Sequence, residues 1–215
     1  MNWLSQIKGR LIVVEGPDGV GKTTLAKQLV KELKAIYWQF PGQKQGTLGY
    51  HIYNLHHCYR DEWAVCHGDE DERALKGIKA VDPCALQLLH VAAHIDTLTA
   101  YLVPLLEKGE TVVLDRWWWS TWVYGRVLGV RRELIKAMTD LERKVWGYAG
   151  VAPEQVFLVS RSVSLRKGMD PLLHRQLTAE YNRLASRFKG SVARIKNNGA
   201  RAHLLDTVRW IAERL

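Results

Sequence analysis

Short apolar runs alternate along this chain with stretches whose apolar residues recur every three or four positions. Arg10 to Glu15 (RLIVVE) is a continuous apolar run that leads into a glycine-rich turn, which predicts a buried strand. Thr23 to Ala35 follows with Leu25, Leu29, Val30 and Leu33 at helical spacing. A second strand, Ile36 to Phe40, stops at the breaker Pro41-Gly42. Thr47 to about Tyr59 predicts a helix, whereas residues 60–81 are polar, mixed in charge and carry no clear period. Asp82-Pro83 reads as an N-cap and first helical position, opening a helix that runs to about Lys108 and stops at Gly109. Thr111 to Leu114 predicts a third strand, residues 131–146 a helix, Gln155 to Val159 a fourth strand and residues 171–188 another helix. A last strand is expected near Ala202 to Leu205, with a short helix after it. Strands alternating with helices predict an α/β fold of about five parallel strands flanked by helices, in one domain over residues 1–215.

Composition adds a sign. Lys and Arg number 31 against 22 Asp and Glu, for a net charge of +9, which suits anionic ligands from nucleotides to nucleic acid. Eleven of these cations lie between Arg161 and Arg209, against three carboxylates. No apolar run approaches the roughly 20 residues that span a bilayer, so no membrane partner is expected. MNWLSQIKGRLIVVEG runs almost directly into the first motif, and the expectation is a chain without a cleaved leader. Cys58, Cys66 and Cys84 form no dense disulfide pattern, which makes a reducing cytoplasm the expected location.

The chemistry enters at Gly16-Pro17-Asp18-Gly19-Val20-Gly21-Lys22-Thr23, which fits G-x-x-x-x-G-K-[ST], with Thr24 next. Glycines let the backbone fold so that successive N–H groups face one anion site, and the following helix adds positive potential. Lys22 would reach the outer phosphates of ATP, and the Thr23 hydroxyl would ligate Mg²⁺. The motif lies between a strand and a helix, as its mechanism requires. By itself it leaves kinases, GTPases, motors and repair ATPases open. The chain has no N-K-x-D base-recognition motif and is small for a motor, which favours a kinase.

Further stretches narrow this. Glu15 to Thr24 (EGPDGVGKTT) is followed by Phe40-Pro41-Gly42 with Gly46-Thr47-Leu48-Gly49. A long helix then leads through Glu107-Lys108-Gly109 to Val112-Val113-Leu114-Asp115-Arg116. Ser120 and Tyr124 complete a D-R-x-x-x-S-x-x-x-Y spacing. In this order, over residues 10 to about 126, the chain resembles the thymidylate kinase family of nucleoside monophosphate kinases. The resemblance implies a P-loop kinase fold and Mg²⁺-dependent transfer from ATP to a small nucleotide, with nucleic acid the less favoured acceptor. It also implies a homodimer through the helix bearing the base site. Lys22 would stabilise the moving phosphoryl group, Thr23 and Asp115 would hold the metal, and Asp18 would face the acceptor sugar or the metal. Arg116 would neutralise the acceptor phosphate, with Lys44 as a second clamp and Phe40, Trp117, Ser120 and Tyr124 lining the acceptor. Arg161, Arg166 and Lys167 would form a lid over about 160–170 that excludes water.

The chain also departs from the family. Gln43 stands where an arginine is usual, Gly125 where a glutamine is usual, and His90 and His94 where an aromatic residue and an arginine address thymine. Two alternatives therefore stay open. One is a kinase acting on a nucleoside or a nucleic-acid hydroxyl; the other is a nucleotide-binding regulator or nucleic-acid-binding ATPase without kinase activity. His56-His57-Cys58 and Cys66-His67 match no common zinc spacing. Among Trp117, Trp118, Trp119 and Trp122, Trp117 is the candidate to stack on a base, because it follows Arg116 directly.

Overall fold

The computed structural model describes residues 6–42, 44–52, 82–188, 192–199 and 201–213. Strand β1 (Arg10–Glu15) is the centre of a five-stranded sheet. Helix α1 (Lys22–Leu33) and strand β2 (Ile36–Gln39) follow it. Residues 48–52 are helical, and the rest of the helix expected to about Tyr59 lies outside the described residues, as do Gln43 and the cysteines and histidines of 56–67. Next come α2 (Pro83–Thr97), a π-helical turn (Leu98–Leu102), α3 (Val103–Glu107) and β3 (Thr111–Asp115). The order then runs α4 (Trp118–Val127), α5 (Arg132–Tyr148), β4 (Gln155–Ser160), α6 (Pro171–Ala185), β5 (Val192–Lys196) and α7 (Arg201–Ala212).

The sheet order is β2-β3-β1-β4-β5, with every pairing parallel. Both faces are covered, which is why the inner strands read as unbroken apolar runs rather than alternating ones. Leu11 and Val13 of β1 enter one core with Val112, Leu114, Val156 and Leu158, beneath α2 to α6. Ile12 and Val14 point the other way, into a second core with Val113, Phe157, Val159 and the apolar face of α1. Asp82 does cap α2, its carboxylate accepting from the N–H groups of Cys84 and Ala85, with Pro83 at the first helical position.

Three sequence expectations are corrected. Residues 202–205 belong to α7 rather than to a strand. Leu204, Val208 and Ile211 fall on one helical stripe that packs into the second core with α1. The fifth strand lies earlier, at Val192–Lys196, and of its residues only Ile195 is buried. Finally, Pro83–Glu107 is long and apolar enough to cross a membrane. Here its apolar residues Val91, Leu98, Leu102 and Leu106 are packed in the first core.

Candidate functional site

The carboxyl ends of β1, β2 and β3 meet where the chain crosses from one side of β1 to the other, the usual ligand crevice of an open parallel sheet. Register places Asp115 beside both Val14 and Gln39. A cavity of about 350 Å³ opens there, lined by the P-loop, Gln39, Asp115, Arg116, Leu165 and Arg166. Gly21 closes the P-loop at φ +94°, and no side chain caps the first turn of α1. Its N–H groups are left for an anion.

Lys22 is buried, and its ammonium donates to the Pro17 carbonyl at 2.6 Å and lies 4.0 Å from Asp18. Burial pushes it down, to about 8, with the Arg116 charge adding to the effect and Asp115, Asp18 and Glu15 opposing it. Asp18 ties the cations together, pairing with the guanidinium of Arg116 and with that of Arg166 at 2.8 Å. Desolvation would raise Asp18, but Arg116, Lys22 and Arg166 outweigh it and hold the carboxyl at about 2. Arg116 also donates to Ser120 Oγ at 3.1 Å and lies over the Tyr124 ring at 5.3 Å.

Because Asp18 is depressed in the folded state, its contribution is complete above about pH 4 and is lost as pH falls toward 2. Wild type is expected to exceed Asp18→Asn in stability by about 2 kcal/mol at neutral pH. Urea unfolding across pH 2–7 measures this, and the gap should close at the acid end.

Asp115 Oδ2 accepts from the Thr23 hydroxyl at 2.6 Å and from Tyr37 at 3.3 Å. Its other oxygen, Oδ1, is buried and has no hydrogen-bond partner among the described residues. Two hard oxygen donors side by side, one with unsatisfied acceptor capacity, fit Mg²⁺ that keeps part of its water shell.

The segment expected to form a lid rests on the P-loop. Ser164 Oγ donates to the Asp18 carbonyl at 2.9 Å, and the Leu165 N–H donates to the Gly19 carbonyl at 2.8 Å. Gly19 has φ +73°, and a Cβ there would sit 2.1 Å from Ser164 Oγ, so only glycine admits this contact. Arg161 instead donates to the Asn197 carbonyl at 2.5 Å, and Lys167 is exposed outside the cavity.

The proposed acceptor residues separate into two groups. Arg116, Ser120 and Tyr124 converge beside Asp18. Lys44 does not join them; its exposed ammonium lies 6.0 Å from the rings of Trp38 and Tyr101. Phe40 is fully buried and stacks on His94, with centroids 4.2 Å apart. His94 Nδ1 is 2.9 Å from Glu142, whose other oxygen accepts from Thr121. His90 lies one turn earlier, 6.1 Å from His94 between ring centroids. Trp117 packs against Trp118, Trp119 and Trp146, and its indole nitrogen is buried without a partner among the described residues.

Among the described residues, His94→Ala would leave the buried Glu142 carboxylate with Thr121 as its remaining side-chain partner. It is expected to cost about 3 kcal/mol, measured as a shift in urea midpoint. A loss below about 1 kcal/mol would mean that the pair is open to water.

Four contributors were not singled out as site residues by the sequence, although Glu15 opens the EGPDGVGKTT stretch. Glu15 is fully buried behind the P-loop, Gln39 lines the cavity, Tyr37 bonds Asp115, and Asn197 donates to the Val20 carbonyl at 2.8 Å.

The fold and the sequence both have known relatives. Among solved structures, the thymidylate kinase of Ehrlichia chaffeensis superposes with a TM-score of 0.69 at 19% identity, covering 95% of this chain and 98% of the other. That of Candida albicans gives 0.67, also at 19% identity, over 96% and 92%. In sequence, the thymidylate kinase of Caldanaerobacter subterraneus subsp. tengcongensis is 26% identical over 85% of this chain and 84% of its own length. The thymidylate kinase of Francisella tularensis subsp. novicida is 31% identical over 62% of this chain, which spans 58% of that protein. The Thymidylate kinase family profile matches residues 68–206, well over half the sequence. With a P-loop crevice and a D-R strand end assembled as above, the chain belongs to the thymidylate kinase family.

Proposed function

We propose that this protein transfers the γ-phosphoryl group of ATP to a deoxynucleoside monophosphate of the thymidylate type, giving the diphosphate. The observation that supports this most is the convergence of Lys22, Arg116 and Arg166 on one cavity. They come from the P-loop, the end of β3 and the lid. Phosphoryl transfer asks mainly for alignment and charge neutralisation. Lys22 would meet the negative charge on the transferring group, Arg116 would hold the acceptor phosphate, and Arg166 would close over both. Thr23 and Asp115 would hold Mg²⁺, which neutralises charge on the β- and γ-phosphates when bound.

One feature favours a monophosphate acceptor over a hydroxyl. A monophosphate's second ionisation lies near 6, so its attacking oxygen is already anionic at neutral pH and needs no base. A hydroxyl acceptor needs a carboxylate able to take a proton. With a nucleoside as acceptor no acceptor phosphate draws Arg116 away, so Asp18 stays held at about 2 by its cations and is a poor proton acceptor.

Base selection is assigned to the Phe40, His90 and His94 region, with Trp117 beside it. The same reading includes a homodimer through α2 and a cytoplasmic location.

Purified protein with ATP, Mg²⁺ and a panel of deoxynucleoside monophosphates, nucleosides and single-stranded DNA tests the proposal. Formation of a pyrimidine deoxynucleoside diphosphate is expected. Transfer only to thymidine or to a DNA end would replace the acceptor. ATP hydrolysis without transfer would replace the kinase with an ATPase.

A further inference from the structure

Glu15 is the last residue of β1, directly before the P-loop, and its side chain is wholly buried. Oε1 accepts from the N–H groups of Trp117 at 2.6 Å and Ser120 at 3.1 Å. Oε2 accepts from the hydroxyls of Ser120 at 2.9 Å and Tyr181 at 3.0 Å. These partners lie on α4 and α6, far from Glu15 in sequence. Helix α4 has no capping side chain of its own, so Glu15 caps it from another strand. The residue between the end of β3 and this cap is Arg116, which has φ +77°. That is the left-handed region, which a residue with a side chain adopts only when its surroundings impose it. Two bonds bracket it: Arg116 N–H to the Val14 carbonyl at 2.9 Å, and Trp117 N–H to Glu15. Val14 and Glu15 are consecutive, so the strand that leads into the donor's phosphate loop also fixes the backbone of Arg116.

We propose that Glu15 is a positioning residue for the acceptor: its carboxylate holds Arg116 in its left-handed conformation and so aims the guanidinium at the acceptor phosphate. The inference rests on the kinase reading above and deepens it. Glu15 touches neither substrate. It acts through Arg116 and through the first turn of α4, which also carries Ser120. The Tyr181 hydroxyl ties α6, the helix after the lid, to the same carboxylate.

Glu15→Gln is the informative variant. The amide keeps one oxygen toward Trp117 and Ser120 but loses the charge that strengthens those bonds, so the cap persists in weakened form and holds Arg116 less firmly. Ser120 Oγ and Tyr181 OH, 2.8 Å apart, can bond to each other. What is lost is one acceptor and the negative charge near Arg116. Losing a charge-assisted hydrogen bond predicts that acceptor KM rises about ten- to hundredfold, while ATP KM stays within about threefold. Calorimetric titration of the monophosphate should show the same loss of affinity without turnover. Wild-type protein on the same acceptor is the control, since absence of its activity strikes the kinase reading rather than Glu15. Unchanged acceptor KM in active Glu15→Gln, or an equal rise in both KM values, overturns the proposal. Should Glu15→Gln not fold, Tyr181→Phe removes one donor from the same carboxylate and should raise acceptor KM about threefold. An unchanged acceptor KM there overturns it equally.

Discussion

Lys22→Ala should lower kcat by about 10²–10³-fold and leave the protein folded. The ammonium is buried among other charges and, among the described residues, makes one hydrogen bond, to Pro17, so it contributes little packing. Its burial also sets a sign. A lysine whose pKa is lowered in the folded state is held in its charged form at a cost, present below about pH 8 and relieved as pH rises toward 10.5. Removing it should therefore leave the melting midpoint at or above that of wild type. ATP brings further negative charge to Lys22, so its binding above pH 8 should take up protons, readable as different calorimetric heats in buffers of different ionisation enthalpy. A Lys22→Ala protein with native circular dichroism and wild-type turnover would end the kinase reading.

Arg116→Ala should cost about 10²-fold in kcat/KM for the acceptor, mostly through KM, while ATP affinity changes little. The guanidinium reaches Ser120 and the Tyr124 face on one side and Asp18 on the other. Its position after β3 puts it across the cavity from the first turn of α1. Lysine should not rescue it, because a single ammonium cannot hold Asp18 and a phosphate oxygen in the fixed directions of a guanidinium. Calorimetry showing lost ATP binding with normal monophosphate binding would reverse the assignment.

The parts legible in the sequence are those whose determinants are contiguous. RLIVVE, TVVLD and QVFLV are strands buried on both faces, so each is a solid apolar block. The P-loop is defined by eight consecutive residues. Strand β5 escaped because VARIK sits at the sheet edge with a single buried residue, while the apolar pair Leu204-Leu205 mimicked a strand. Helix α4 was not foreseen either, since WWSTWV is buried on nearly every side and shows no period. In the site, the long-range partners were hidden. Nothing beside Glu15 in the chain announces Trp117, Ser120 and Tyr181, and nothing beside Asn197 announces the P-loop. Those pairings exist only once β3, β1, β4 and β5 are adjacent.

Asp18 holds two arginines that the proposed reaction needs for phosphate, and it neighbours the lysine that completes the set. Arriving anions therefore meet cations that already have a counter-ion. Binding becomes an exchange, in which phosphate oxygens displace a carboxylate from Arg116 and Arg166 instead of filling empty sites. Only the difference between the two partnerships appears as affinity, so a cluster of three cations need not grip its nucleotides tightly. The diphosphate product can leave by the same exchange run backwards, with Asp18 returning to the arginines as the phosphates depart.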